Sequence, residues 1–176
     1  MIVKGIEAEN FENYKDPALF VAFPHCSFKC DKEAKCAVCQ NSALALSENI
    51  EVKIDTLVNL YVENPITKAI VCGGLEPFDS FDDLLCLIMN LRYRTSDPII
   101  IYTGYTEEEI GKMTHRLDSD YYSFLDILEL YENIVIKFGR FIPNQEKHYD
   151  KLLGVELASL NQYAKVISKD WWYEDV

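Results

Sequence analysis

Residues Ala18 to Ser42 read ALFVAFPHCSFKCDKEAKCAVCQNS. The first six, Ala18–Phe23, form an unbroken apolar run of strand length, the pattern of a buried strand. Four of the six cysteines follow at once: Cys26, Cys30, Cys36 and Cys39. They therefore sit on a loop at a strand end, where α/β folds carry their chemistry. Thiolates gathered on such a loop bind soft metals, as zinc or as an iron–sulfur cluster.

Downstream, three more apolar runs end in turn residues. Lys68–Cys72 (KAIVC) ends at Gly73-Gly74, Pro98–Tyr102 (PIIIY) at Thr103-Gly104, and Asn133–Phe138 (NIVIKF) at Gly139. Helical patterns separate them. Asp55 reads as an N-cap for a helix to Glu63, stopped before Pro65. Ser80 reads as an N-cap for Phe81, Leu84, Leu85, Ile88 and Leu91 at helical spacing, through about Arg92. Thr106 and Glu109 make a capping box, with Ile110, Met113 and Leu117 on one face, and Tyr121–Tyr131 reads as helix. Ser42–Ser47 reads as a helical turn or two, and Ile50, Val52 and Ile54 alternate with charges in an extended segment. Met1–Asp16 shows no period, and Gly154–Ile167 has room for one or two extended segments. This alternation predicts one α/β domain over residues 1–176, with a mostly parallel sheet and helical crossovers. All four turn signals then share the carboxyl edge of that sheet, where such folds place their sites.

The chain has 176 residues, is 49% hydrophobic and 12% aromatic, and carries a formal charge of −12. Those values describe a globular protein, and the acidity argues against nucleic-acid or acidic-membrane partners. No segment approaches the roughly 18 apolar residues of a membrane span. The first sixteen residues lack the apolar core of a signal peptide, so the expected location is cytoplasmic. In that compartment clustered cysteines mean metal or redox chemistry rather than disulfides.

A closed zinc site would take all four loop thiolates. A catalytic cluster would take three, leaving one iron open to a small molecule. The stretch Gly73-Gly74-Leu75-Glu76-Pro77 bears on that choice. Paired glycines allow close approach to the backbone, Glu76 puts a carboxylate at the strand end, and Pro77 fixes the turn.

Together, the cysteine loop after one strand and this motif after the next resemble the radical S-adenosylmethionine (SAM) superfamily. That superfamily has Cys-x3-Cys-x2-Cys and Gly-Gly-Glu-Pro in those places. More narrowly, the chain is similar to activating proteins of anaerobic ribonucleoside-triphosphate reductase. Cys39-Gln40-Asn41-Ser42, Tyr102-Thr103-Gly104-Tyr105 with Glu108, and Gly154 through Asn161-Gln162 carry that likeness. The departures are plain. Eight residues lie between Cys30 and Cys39, with Cys36 among them. Leu75 is extra in the glycine motif, and a glycine-rich N-terminal stretch is missing. Two ligand sets compete: Cys26, Cys30 and Cys39, or Cys26, Cys36 and Cys39. The first is preferred because Cys26-x3-Cys30 keeps the family's spacing, which makes Asp31–Cys36 an insertion.

The resemblance implies an incomplete (β/α) barrel holding a [4Fe-4S] cluster and SAM. It implies a glycyl-radical activase whose partners are an anaerobic ribonucleotide reductase and a low-potential electron donor. Cys26, Cys30 and Cys39 would hold the metal, and Gly73, Gly74, Glu76, Asn41 and Thr103 would hold SAM, with Glu76 facing the methionine ammonium; the other reading makes Asn41 a cap for the following turn and Thr103 a turn residue. Lys137 and Arg140 are either carboxylate ligands or solvated charge. Cys72 and Cys86 read as buried packing, and His25, His115 and His148 as incidental. Trp171-Trp172 would cover the core or dock a partner. The rivals are a small radical SAM enzyme with another substrate and a non-catalytic zinc or cluster-binding module.

Overall fold

Side-chain alternation within the apolar runs sets the two faces of the sheet. A computed structural model describes residues 1–117 and 119–167, so the Trp171-Trp172 pair lies outside the described residues. The N-terminal stretch forms β1 (Ile2–Val3) and β2 (Gly5–Asn10), and the first apolar run is β3 (Ala18–Phe23). The cysteine loop carries α1 (Lys29–Ala34), and α2 (Ser42–Leu46) follows it. After β4 (Ile50–Glu51) and α3 (Ile54–Glu63) comes β5 (Ala69–Gly74), then a 3-10 turn at Pro77–Ser80 and α4 (Phe81–Arg92). Next are β6 (Ile99–Tyr102), α5 (Glu107–Lys112), the hairpin β7 (Thr114–Leu117) and β8 (Asp120–Ser123), and α6 (Phe124–Leu128). The chain continues through β9 (Ile134–Phe138), the hairpin β10 (His148–Asp150) and β11 (Val155–Leu157), and β12 (Tyr163–Val166).

Among the described residues, six strands form one open sheet in the order β12-β9-β6-β5-β3-β2. The four central strands are parallel, and β2 and β12 close the edges antiparallel. One face carries Leu19, Val21, Phe23, Ile70, Cys72, Ile99, Ile101, Ile134 and Ile136 and packs against α3 and α4, which bury Leu57, Val58, Leu84, Leu87, Ile88 and Leu91. Each such side chain, fully buried, stabilises the fold by about 1.5–3 kcal/mol. The other face is built of smaller residues, Ala18, Ala69, Val71, Ile100 and Val135, covered by Tyr14, Leu153 and Leu157. The long helices α3 and α4 cover one side, and the lighter cover of the other leaves a hollow at the strand ends.

Several boundaries differ from the sequence expectation. Helix α3 begins at Ile54 with Lys53 as its N-cap, and Asp55 instead lies in the first turn, where the helix dipole favours a carboxylate. Ser80 precedes α4 without a capping bond, because the 3-10 turn already leads into the helix. The Thr106–Glu109 capping box is present, but α5 stops at Lys112 and Leu117 belongs to β7. Tyr121–Tyr131 is not one helix. Tyr121 and Tyr122 lie in β8, opposite Arg116 and His115 of β7, and a second capping box, Ser123 with Asp126, starts α6. Cys72 is fully buried, but Cys86 is exposed on α4, on the side turned away from the sheet.

Gly74 shows how tightly the sheet is closed at its carboxyl edge. Its φ is +80°, and a Cβ there would lie 2.8 Å from the Ala22 Cα on β3. Both strain and collision oppose any side chain. Gly74→Ala is expected to cost about 2 kcal/mol or more, read as a lower urea midpoint with an unchanged m-value. An unaltered midpoint would mean that the strand end relaxes freely.

Candidate metal centre

The cysteine loop leaves β3 through Pro24 and is stitched to the segment after β5. The Glu76 N–H donates to the His25 carbonyl at 2.7 Å, and the Leu75 N–H to that of Phe23 at 3.4 Å. Asp79, in the 3-10 turn, accepts from the Ser27 N–H at 2.6 Å and from the Tyr105 hydroxyl at 2.5 Å. Ser27 Oγ lies 3.1 Å from the same tyrosine oxygen. One carboxylate thus joins the cysteine loop to the loop after β6.

The insertion between Cys30 and Cys39 is ordered by charge rather than by packing, since α1 has no buried residue. Asp31 Oδ1 accepts from the Val38 and Cys39 N–H groups, both at 2.8 Å. Arg140, at the end of β9 and only 8% exposed, pairs with Glu109 at 2.5 Å and Glu33 at 3.3 Å. Lys29 pairs with the same Glu109 at 3.2 Å and lies over the Tyr105 ring. The Arg140 guanidinium, with Lys29 beside it, holds the Glu109 carboxyl down at about 2.

Cys26, Cys30, Cys39, Asn41, Gly73, Gly74, Glu76 and Thr103 all line one cavity of about 620 Å³. That volume suits a small organic ligand. Cys36 is absent from its wall; it is exposed, and its thiol donates to the Ala34 carbonyl at 3.4 Å. The three lining cysteines are free thiols. Burial pushes the Cys26 thiol up to about 11, and burial likewise raises Cys30. Binding metal must therefore displace protons.

Among the described residues, no group of three or more His, Cys, Asp or Glu stands close enough to hold a single metal ion. Three half-buried thiols on one loop, facing a common cavity, have the donor chemistry of an iron–sulfur site.

Glu76 is 5% exposed and accepts three hydrogen bonds from within the chain. Its Oε1 accepts from the Phe78 N–H at 3.2 Å and the Thr103 hydroxyl at 2.8 Å, and its Oε2 from the Gly104 N–H at 2.8 Å. Burial still pushes its pKa up to about 7, against these stabilising donors. The Thr103 hydroxyl also accepts from the Tyr105 N–H. Its one proton is therefore committed to Glu76. Asn41 sits at the start of α2 without capping it; its amide donates to the Gly74 carbonyl. The backbone that Gly74 lets approach closely is that of β3, while Gly73 faces the Phe20 ring.

Other residues gain roles that spacing alone does not show. Lys137 lines the cavity, donates to the Gly139 carbonyl at 3.0 Å, and is pushed down to about 8 by burial. Gln162 is buried, accepts from the Ala158 and Ser159 N–H groups, and donates to Gly139. Asn161 donates to the Arg140 carbonyl. His25 is exposed and enters only through its carbonyl, whereas His115 pairs with Asp82 at 2.7 Å. An apolar strand end carrying a Lys, followed by Gly-Arg, was the available signal for Lys137; nothing local marks Gln162.

A family model described as a 4Fe-4S single cluster domain matches residues 18–161. No curated protein and no solved structure matches the chain. No helix among the described residues is long and apolar enough to cross a membrane.

Because Glu76 has a folded pKa near 7, above its ordinary 4.5, folding takes up a proton at this group between those values. Its contribution to stability is full below the lower value and lost as pH rises through the upper one. In the cluster-free protein this amounts to roughly 3 kcal/mol, at about 1.36 kcal/mol for each tenfold change in proton affinity. Urea unfolding across that range should show this loss in the wild type relative to Glu76→Gln. Parallel pH profiles for the two would show that Glu76 is ionised throughout.

Proposed function

The chain belongs to the 4Fe-4S single cluster domain family and is an iron–sulfur protein, and on that premise we propose that it is a radical SAM enzyme. Its proposed task is to form a glycyl radical on an anaerobic ribonucleotide reductase, with a low-potential electron donor as second partner. The sheet would then be the wall of an incomplete (β/α) barrel. One observation carries the reading: the three thiols and the Gly73–Glu76 segment share one ligand-sized cavity at the carboxyl ends of parallel strands.

In this reading Cys26, Cys30 and Cys39 hold the cluster and Cys36 stays outside. When bound, the cluster would supply the electron for reductive cleavage of SAM, the chemistry needed to activate a glycine of the reductase. The protein's own part is placement. A carboxylate has about four acceptor positions, and three on Glu76 are already used within the chain. The fourth is left for the methionine ammonium. Thr103 orients Glu76 rather than reaching SAM itself. Gly73 and Asn41 line the same wall, and the buried Lys137 adds positive charge beside anionic groups.

The internal engagement of Glu76 and Thr103 also favours a second reading, a cluster-holding module that does not cleave SAM. Anaerobic reconstitution separates the two. The chain should take up about four irons in one cluster. After reduction it should release 5′-deoxyadenosine and raise a glycyl radical signal on the reductase. Iron uptake without SAM cleavage supports the module; stoichiometric zinc with no iron uptake ends both readings.

The ligand assignment has its own test. Cys36→Ser should keep iron and SAM cleavage, while serine at Cys26, Cys30 or Cys39 should abolish both. Loss of the cluster in Cys36→Ser with retention in Cys30→Ser would transfer the ligand role to Cys36.

A further inference from the structure

We propose that Asp31 is the positioning residue for the third cluster thiol, tethering Cys39 to the helix that carries Cys30. The inference rests on the reading that Cys26, Cys30 and Cys39 are the ligands. Eight residues separate the last two, and most of them, Lys32 through Ala37, are exposed. A free arc of this kind has no packing to fix where it re-enters, and ordering it costs conformational entropy. Asp31 supplies the missing constraint. It follows Cys30 directly on α1, and its Oδ1 takes both the Val38 and the Cys39 N–H at 2.8 Å. Bonds to an ionised acceptor are the stronger class of hydrogen bond.

The rest of the arc is shaped to reach that acceptor. Lys35 ends α1 in the left-handed region, at φ 55°, which turns the chain back. Cys36 lies on the outer bend, and Val38 and Cys39 return half-buried. The helix is itself anchored, because Glu33 and Lys29 are held by Arg140 and Glu109. A continuous line of charge therefore runs from the end of β9 through α1 to the Cys39 backbone. The bond is to the amide of Cys39, so it fixes the residue and leaves the sulfur free for metal.

Full-length Asp31→Ala and Asp31→Asn test this; Asn keeps an acceptor oxygen where Ala has none. Residue-resolved amide exchange in cluster-free protein should show Val38 and Cys39 exchanging about tenfold faster in Asp31→Ala, the scale of one charge-assisted bond. After anaerobic reconstitution, Asp31→Ala should lose iron to a ferrous chelator about tenfold faster than wild type. Asp31→Asn, which keeps the oxygen but loses its charge, should recover part of both, and the global unfolding midpoint should stay unchanged in each. Wild-type exchange and iron retention in Asp31→Ala would falsify the proposal. A wild-type chain that takes up no iron sinks the ligand reading and the cluster role with it, while the exchange comparison still reports on the tether.

Discussion

The Glu76 carboxylate is the contact on which the site depends. It receives donors from its own turn, from Thr103 and from Gly104, and its backbone N–H binds the His25 carbonyl. One residue therefore joins the loops that follow β3, β5 and β6. Burying a carboxylate is costly unless donors surround it. Here they do, and the cost remaining after them is visible in the raised pKa. Proximity of the cysteine loop to the glycine motif is thus a property of the backbone, present without any metal.

The hollow beside Glu76 has an equally simple origin. The long helices α3 and α4 cover only one face of the sheet, so the opposite face must be closed by other means. Low on that face, Tyr14, Leu153 and Leu157 fill the space against alanines and valines. At the strand ends the inward positions include Ala22 and Gly73, paired across β3 and β5, which leave room above them. The cavity is the unfilled remainder of the concave face, and its walls are the functional loops.

The net charge of −12 describes the surface, not the site. Lys29, Lys137 and Arg140 are gathered around the thiols, two of them buried among the strand ends. Arg140 is absorbed by Glu33 and Glu109, so its effect is to fix α1. Lys137 is held by a carbonyl, and its positive charge faces the cavity wall. Arg140 and Lys137, close in sequence, thus divide into a brace and a lining charge because one meets carboxylates and the other does not.

The sequence by itself determined the four parallel strands, because their apolar runs are short, continuous and followed by turn residues. It also determined the grouping of Cys26, Cys30 and Cys39 with Gly73 and Glu76, since the loops of one sheet edge must be neighbours. Residues near a switch of period were not legible. The β7–β8 hairpin takes over positions that suit a helical stripe, because Tyr121 and Tyr122, which favour strands, pair with Arg116 and His115 and outweigh a weak helical preference. The edge strands β2 and β12 carry no clean alternation, because most of their side chains stay exposed or half-buried on both faces and neither face demands apolar residues. Only the tertiary structure decided that Thr103 bonds to Glu76, that Gly74 lies close against β3, and that Asp31 reaches Cys39. Each is a contact whose donor and acceptor are set by how the loops fold over the sheet, and such contacts leave no period in the chain.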